Sequence, residues 1–238
     1  LFSAGNTGAA VMTAHAVFGM LAGVDRPALA TAVPTRNRPA VLVDSGANVE
    51  CRPAHLLQFA VMGGMYSRVA FGVPHPRVGL LSIGEEETKG NELTREAHQL
   101  LKASRVNFIG NIEARDVYTG AADVIVCDGF TGNVVLKISE GLVEVVGDLL
   151  REELSSTIAT RVGSLLTSRA LRHFRKRVDY SEYGGAPLIG VAGPCIIGHG
   201  RSSVKAVRNA VAMAYRFAAD NFIPRIEQEI AAAAMPHS

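Results

Sequence analysis

A chain of 238 residues, 48% hydrophobic and 19% charged, carries enough apolar surface for a real core, which excludes a disordered protein. Its longest apolar runs, such as 187–198, are short and broken by Gly and Pro, whereas a membrane-spanning helix needs about 20 apolar residues. The net charge of +2 conceals an uneven distribution: from Arg151 to Arg177 there are seven basic and two acidic residues, so that segment is +5 and the rest −3.

In chain order, Leu1-Phe2 runs straight into Ser3-Ala4-Gly5-Asn6-Thr7-Gly8 and reads as the last step of a strand, so an N-terminal part of the domain is expected to be missing. Ala40–Val43 ends in Asp44-Ser45-Gly46-Ala47-Asn48. Pro53 then suits a first helical turn, with Leu56, Leu57, Ala60 and Val61 as its apolar face. Val78–Leu81 ends in Ser82-Ile83-Gly84, and Leu93, Ala97, Leu100 and Leu101 repeat at helical spacing. Phe108-Ile109 ends in Gly110-Asn111, Val124–Cys127 in Asp128-Gly129-Phe130-Thr131-Gly132-Asn133, and Cys195–Ile197 in Gly198-His199-Gly200. Continuous apolar runs predict strands buried on both faces of a mostly parallel sheet, and their alternation with helices predicts a single layered α/β domain over 1–238. Residues 139–178 offer no strand and keep helical spacing, which predicts a projecting helical insertion.

Cys51, Cys127 and Cys195 show neither CxxC spacing nor Cys/His clustering. That argues against a disulfide framework and a structural zinc site, and implies a reducing cytoplasm. No G-x-G-x-x-G opens a helix after a strand and no G-x-x-x-x-G-K-[ST] is present, so nicotinamide and nucleoside-triphosphate sites are poorly supported. Two loops lead directly into helices, one at Asn6, Thr7 and Gly8, the other at Gly129, Phe130 and Thr131. Their glycines and free helix N-termini suit an anion such as phosphate, or they serve only as tight turns. Lys89 is placed to neutralise phosphate or is an ordinary surface lysine. His199 either donates to an acyl oxygen or holds its own loop. Cys127 reads as a buried, inert thiol rather than a nucleophile.

Taken together, these strings resemble the bacterial acyl-ACP:phosphate acyltransferases. The resemblance is carried by Ser3–Gly8, Asp25–Ala28, Asp44–Asn48, Gly84–Glu92 and Phe108–Asn111, and most closely by Asp128–Asn133, Tyr180–Pro187 and His199-Gly200. It implies a three-layer α/β/α fold similar to isopropylmalate dehydrogenases and phosphotransacetylases, and a homodimer that feeds a membrane-bound glycerol-phosphate acyltransferase. Ser45 departs from the valine usual in that loop, and the family's Asp-Ala-Met-Gly-Gly-Asp motif is absent.

The implied reaction moves a fatty acyl group from acyl carrier protein to inorganic phosphate, with no metal, no cofactor and no nucleic acid involved. A phosphate nucleophile and a thiol leaving group with pKa near 8.5 ask the protein for positioning and charge stabilisation, not a covalent nucleophile. The expected roles are phosphate cradling at Asn6, Thr7 and Gly8 and at Gly129, Phe130 and Thr131. Lys89 is expected to offset charge, and Asn133 and His199 to polarise the thioester carbonyl. Alternatives are a phosphotransacetylase-like enzyme using acyl-CoA and a non-catalytic membrane-docking scaffold.

The insertion carries Ile158, Val162, Leu165, Leu166 and Leu171 among arginines, a composition suited to an anionic membrane surface. The competing reading makes the apolar residues a dimer interface and the cations a dock for the acidic carrier protein. Peripheral association with the inner face of the cell membrane is the expected location.

Overall fold

Runs with no polar position to turn toward water become fully buried strands, as Ala40–Val43 and Val78–Leu81 do. The computed structural model describes residues 1–178, 184–198, 200 and 202–233. Eight strands form one sheet: β1 (Phe2–Ser3), β2 (Ala28–Val33), β3 (Ala40–Val43), β4 (Val78–Leu81), β5 (Phe108–Ile112), β6 (Val124–Val126), β7 (Ala186–Ile189) and β8 (Cys195–Ile197). Their spatial order is β1-β8-β7-β2-β3-β6-β4-β5.

The sheet is mixed and mostly parallel. Pairs β1/β8, β3/β6, β6/β4 and β4/β5 are parallel, while β2 is antiparallel to both β3 and β7, and β7 to β8. Three successive reversals make β1 and β8 run opposite to β3, β4 and β6. The loops after β1 and β8 therefore leave the edge opposite the loops after β3, β4 and β6. The polar loops thus follow the carboxyl ends of their strands without sharing one edge of the sheet. An apolar run encodes burial but not direction: β2 is antiparallel to both neighbours, yet five of its six residues are buried.

Helices cover both faces. On one lie α2 (Pro53–Phe71), α3 (Glu92–Ala103), α7 (Val204–Ala219) and α8 (Phe222–Ala233), around a core that includes Phe59, Met62, Tyr66, Met213, Phe217 and Ile226. The other face carries two separate apolar clusters. Ala10 and Ala14 of α1 (Thr7–Phe18) pack on Leu29, Leu188 and Ile197. Leu42, Leu81, Ile112 and Ile125 pack with Val117 of a 3-10 turn (Ala114–Tyr118) and with Val135 of α4 (Gly129–Ser155). Leu29 and Val33 of β2 belong to different clusters, so the covering parts over this strand.

Helix α4 continues unbroken past Ser139, the last buried residue on it. With α5 (Ile158–Leu166) and α6 (Ser168–Val178) it forms a helical arm, and no residue from 140 to 174 is buried. The insertion thus begins inside a helix, not at its start.

One buried carboxylate ties the sheet's N-terminal edge. Asp123, 3% exposed, accepts from Arg77 N (2.9 Å) and Nε (3.0 Å) and from Arg38 Nε (3.2 Å). Burial pushes its carboxyl up, but the Arg77 and Arg38 donors outweigh burial and hold it below the usual value. A depressed carboxyl stabilises the fold above its unfolded pKa of about 4, and that contribution is lost as pH falls through the folded value. Arg77→Met is therefore expected to lower the urea midpoint at pH 7 and to flatten its decline below about pH 4 relative to wild type. An unchanged acid profile would remove Asp123 from the account.

Candidate functional site

The loop after β3 is built on Asp44, whose side chain is fully buried. Its Oδ1 accepts from Leu29 N (2.9 Å), Gly46 N (3.1 Å) and Ala47 N (3.0 Å), and its Oδ2 from Asn48 N (2.7 Å) and Asn48 Nδ2 (2.8 Å). Burial pushes the carboxyl up while these donors draw it back. The N-terminus of α4 rests on this loop. Gly129 N donates to Asn48 O (2.8 Å), and a Cβ on Gly132 would lie 1.9 Å from Asp44 O, so only glycine permits the approach. Asp128 caps the helix, accepting from Thr131 N (2.8 Å) and Oγ1 (2.7 Å).

Where the two clusters part, a cleft of about 600 Å³ opens over β2 between α1 and α4. Thr31, the one polar residue of β2, lies on its floor. Its Oγ1 is 2.7 Å from Ser45 Oγ, which donates to Leu29 O (3.1 Å). Asn133, Lys137, Glu140 and Glu144 of α4 form one wall, with Leu136 among them. Thr7 of α1 and Ile197, Gly198 and Ser202 near the end of β8 form the other. Loops from opposite edges of the sheet thus meet across its face.

The structure brings together Thr7 and Asn133 of the expected site. Asn6 caps α1, its Oδ1 accepting from Ala9 N (3.1 Å), and Gly8 is exposed beside it. The amide of Gly129 is engaged by Asn48 of the neighbouring loop and that of Thr131 by Asp128, and Phe130 points outward, 62% exposed. Lys89 does not line the cleft. It is exposed on the loop after β4, its N donating to Glu86 O (3.0 Å) and its side chain lying across Gly84. His199 lies outside the described residues. On the arm, Ile158 (82%), Leu165 (74%) and Leu166 (82%) are highly exposed and Val162 is exposed, whereas Leu171 is half-buried in a groove between α4, α5 and α6.

Thr31, Ser45, Lys137, Glu140 and Glu144 join the site only through the structure. The readable signals were a threonine inside an apolar strand and polar positions recurring at 133, 137, 140 and 144, one face of a helix. No thiolate is available. Burial pushes the Cys127 thiol far up, and burial followed by the Asp44 charge pushes Cys51 up to about 12. Among the described residues no group of acidic, histidine or cysteine side chains is arranged to hold a metal, and no helix is long and apolar enough to cross a membrane.

Comparison with known proteins bears on the chain as a whole. The family described as "Fatty acid synthesis protein" matches residues 1–225. The chain is 55% identical over 237 residues to a phosphate acyltransferase of Acidobacterium capsulatum, matching 100% of this chain and 70% of that protein. It is 49% identical over 228 residues to a phosphate acyltransferase of Geobacter sulfurreducens, matching 96% of this chain and 66% of that protein. The chain therefore spans about two thirds of the length of these relatives. Among solved structures it resembles a phosphotransacetylase from Streptococcus pyogenes (TM-score 0.59, 15% identity, 92% of this chain and 62% of that one). It also resembles the EutD phosphotransacetylase from Staphylococcus aureus (TM-score 0.56, 19% identity, 87% and 59%). These likenesses identify a phosphotransacetylase-like α/β fold.

Asp44→Ala removes an acceptor from four backbone amides at once. It is expected to cost at least about 3 kcal/mol in denaturant unfolding, since each buried donor left unpaired costs about 1–3 kcal/mol. Thr31→Val, which removes one hydroxyl contact beside open space, should cost less than about 1.5 kcal/mol. A small loss in the Asp44 variant would show that the loop holds without its carboxylate.

Proposed function

The chain belongs to the phosphate acyltransferase family of fatty acid synthesis proteins, and on that premise we propose that its protein transfers a fatty acyl group from acyl carrier protein to inorganic phosphate. The observation that carries this reading is the cleft itself: amide, hydroxyl and ammonium groups beside the apolar side chains of Leu29, Leu136 and Ile197, with every described cysteine held as an inert thiol. A phosphate oxygen attacks the thioester carbonyl carbon, the new C–O bond forms as the C–S bond breaks, and the carrier leaves as a thiolate that takes a proton from solvent. Holding phosphate and thioester together is worth up to about 7–11 kcal/mol. One donor aimed at the developing oxyanion is worth about 2.7–4 kcal/mol. Asn133 is assigned to the carbonyl with His199, and Thr7 to phosphate. Lys89, on a loop at the same sheet edge as the Asp44 and Asp128 loops, is assigned to charge at the rim.

The arm supports a further part of the reading. Phe130, Val134, Ile138, Leu142, Val145 and Leu149 make one exposed apolar stripe along α4, suited to a second copy of the chain. At the far end Ile158, Val162, Leu165 and Leu166 stand beside Arg161, Arg169 and Arg172, suited to an anionic membrane surface. Contact there delivers the hydrolysable acyl phosphate toward a membrane glycerol-phosphate acyltransferase from the cytoplasmic side.

The reaction is tested by measuring free carrier thiol from acyl-ACP. Release is expected only with phosphate present, and equal release without it would make the protein a thioesterase. A preference for acyl-CoA would favour phosphotransacetylase chemistry. Asn133→Ala is expected to lower turnover at least about tenfold with the fold intact, while replacing all three cysteines retains the reaction.

Liposome flotation tests the arm. Binding should require anionic lipid, weaken with salt and drop in a Leu165→Glu/Leu166→Glu variant that remains dimeric. A variant that stays bound, or becomes monomeric, would show the tip to be misread.

A further inference from the structure

Among the described residues lining the cleft, Lys137 is the only cation. It stands one helical turn after Asn133, which puts the two Cβ atoms about 5–6 Å apart on one face of α4. Its Nζ donates to Glu140 Oε2 at 2.8 Å, and both side chains face solvent, 55% and 36% exposed. Glu144 continues the same wall. Without Lys137 this wall carries only carboxylates and would repel any anion entering beside Asn133.

We infer that Lys137 is the group that receives phosphate inside the cleft, and that Glu140 holds it in place until phosphate arrives. This rests on the reading of the cleft as the site where phosphate meets the thioester. A screened pair between neighbouring turns is weak, so it is easily exchanged. Phosphate dianion brings twice the charge of a carboxylate and several acceptor oxygens, and at Lys137 it finds a cation one helical turn from the Asn133 amide assigned to the thioester carbonyl. Glu140 then has a double action. It keeps the ammonium aimed along the wall, and it competes with phosphate for it, so binding remains reversible and the product can leave.

The competing account, a solvated surface pair with no ligand, separates on phosphate binding. Inorganic phosphate is titrated into the protein by calorimetry, and its KM is measured separately in the carrier-thiol assay. Lys137→Met is expected to weaken phosphate at least about tenfold, and Lys137→Arg to stay within about threefold of wild type. Glu140→Gln is expected to tighten it about two- to fivefold, a gain that a merely structural pair does not produce, and the gain should vanish in the Lys137→Met background. Thermal melting checks that each variant is folded. The inference is overturned if wild type binds no phosphate, if Lys137→Met binds it as wild type does, or if the Glu140→Gln gain survives without Lys137. Lys137-dependent phosphate binding without thiol release would instead sink the acyl-transfer reading and leave this assignment standing.

Discussion

A carboxylate taken out of water needs donors, and Asp44 collects them from three places: its own loop, the start of β2 and the Asn48 side chain. In doing so it fixes the distance between β2 and β3 at the point where the sheet reverses direction. It also sets the level on which α4 rests, because Gly132 sits against its carbonyl oxygen and Gly129 donates to Asn48. Asn133 hangs over Gly46, within the same loop. The position of the cleft's α4 wall is therefore a consequence of one side chain's demand for hydrogen bonds.

The reversal of strand direction gives the cleft its second property. In a uniformly parallel sheet, Thr7 and Asn133 would belong to loops along a single edge. Here β1 and β8 run against β3 and β6, so two opposed loop systems face each other across β2 and β7. The face between them is left uncovered, and Thr31 marks it with a hydroxyl in place of an apolar side chain. The floor is thus sheet, and the walls are the first turns of α4 on one side and the start of α1 with the end of β8 on the other.

Much of the architecture was legible because burial dictates residue type. Fully apolar runs announced β3, β4, β6 and β8, and Asp128-Gly129 announced the start of a helix. Strand β2 was not announced: Ala-Leu-Ala-Thr-Ala-Val is alanine-rich, flanked by Pro27 and Pro34, and becomes a strand through its neighbours on both sides. Strand direction was equally hidden, since buried runs look alike whichever way they point. In the site, glycine loops looked like ligand cradles, yet Gly129 and Gly132 serve close packing against the Asp44 loop. Lys89 drew notice because it stands alone among acidic residues. Lys137 did not, because a Lys and a Glu three apart on a helix are ordinary until the cleft is seen beside them.

Helix α4 joins the cleft to the arm's outer end with no break in its backbone. From Asn133 to Ser155 it rises about 33 Å at 1.5 Å per residue. It has no proline, and between Asn133 and Glu140 it has no glycine. A rod of this kind acts as a gauge. Whatever the outer end rests on stands a set height from the place where Asn133 and Thr7 meet. The hydrogen-bonded backbone that seats Asn133 over the Asp44 loop is thus the same one that carries the arm's outer end.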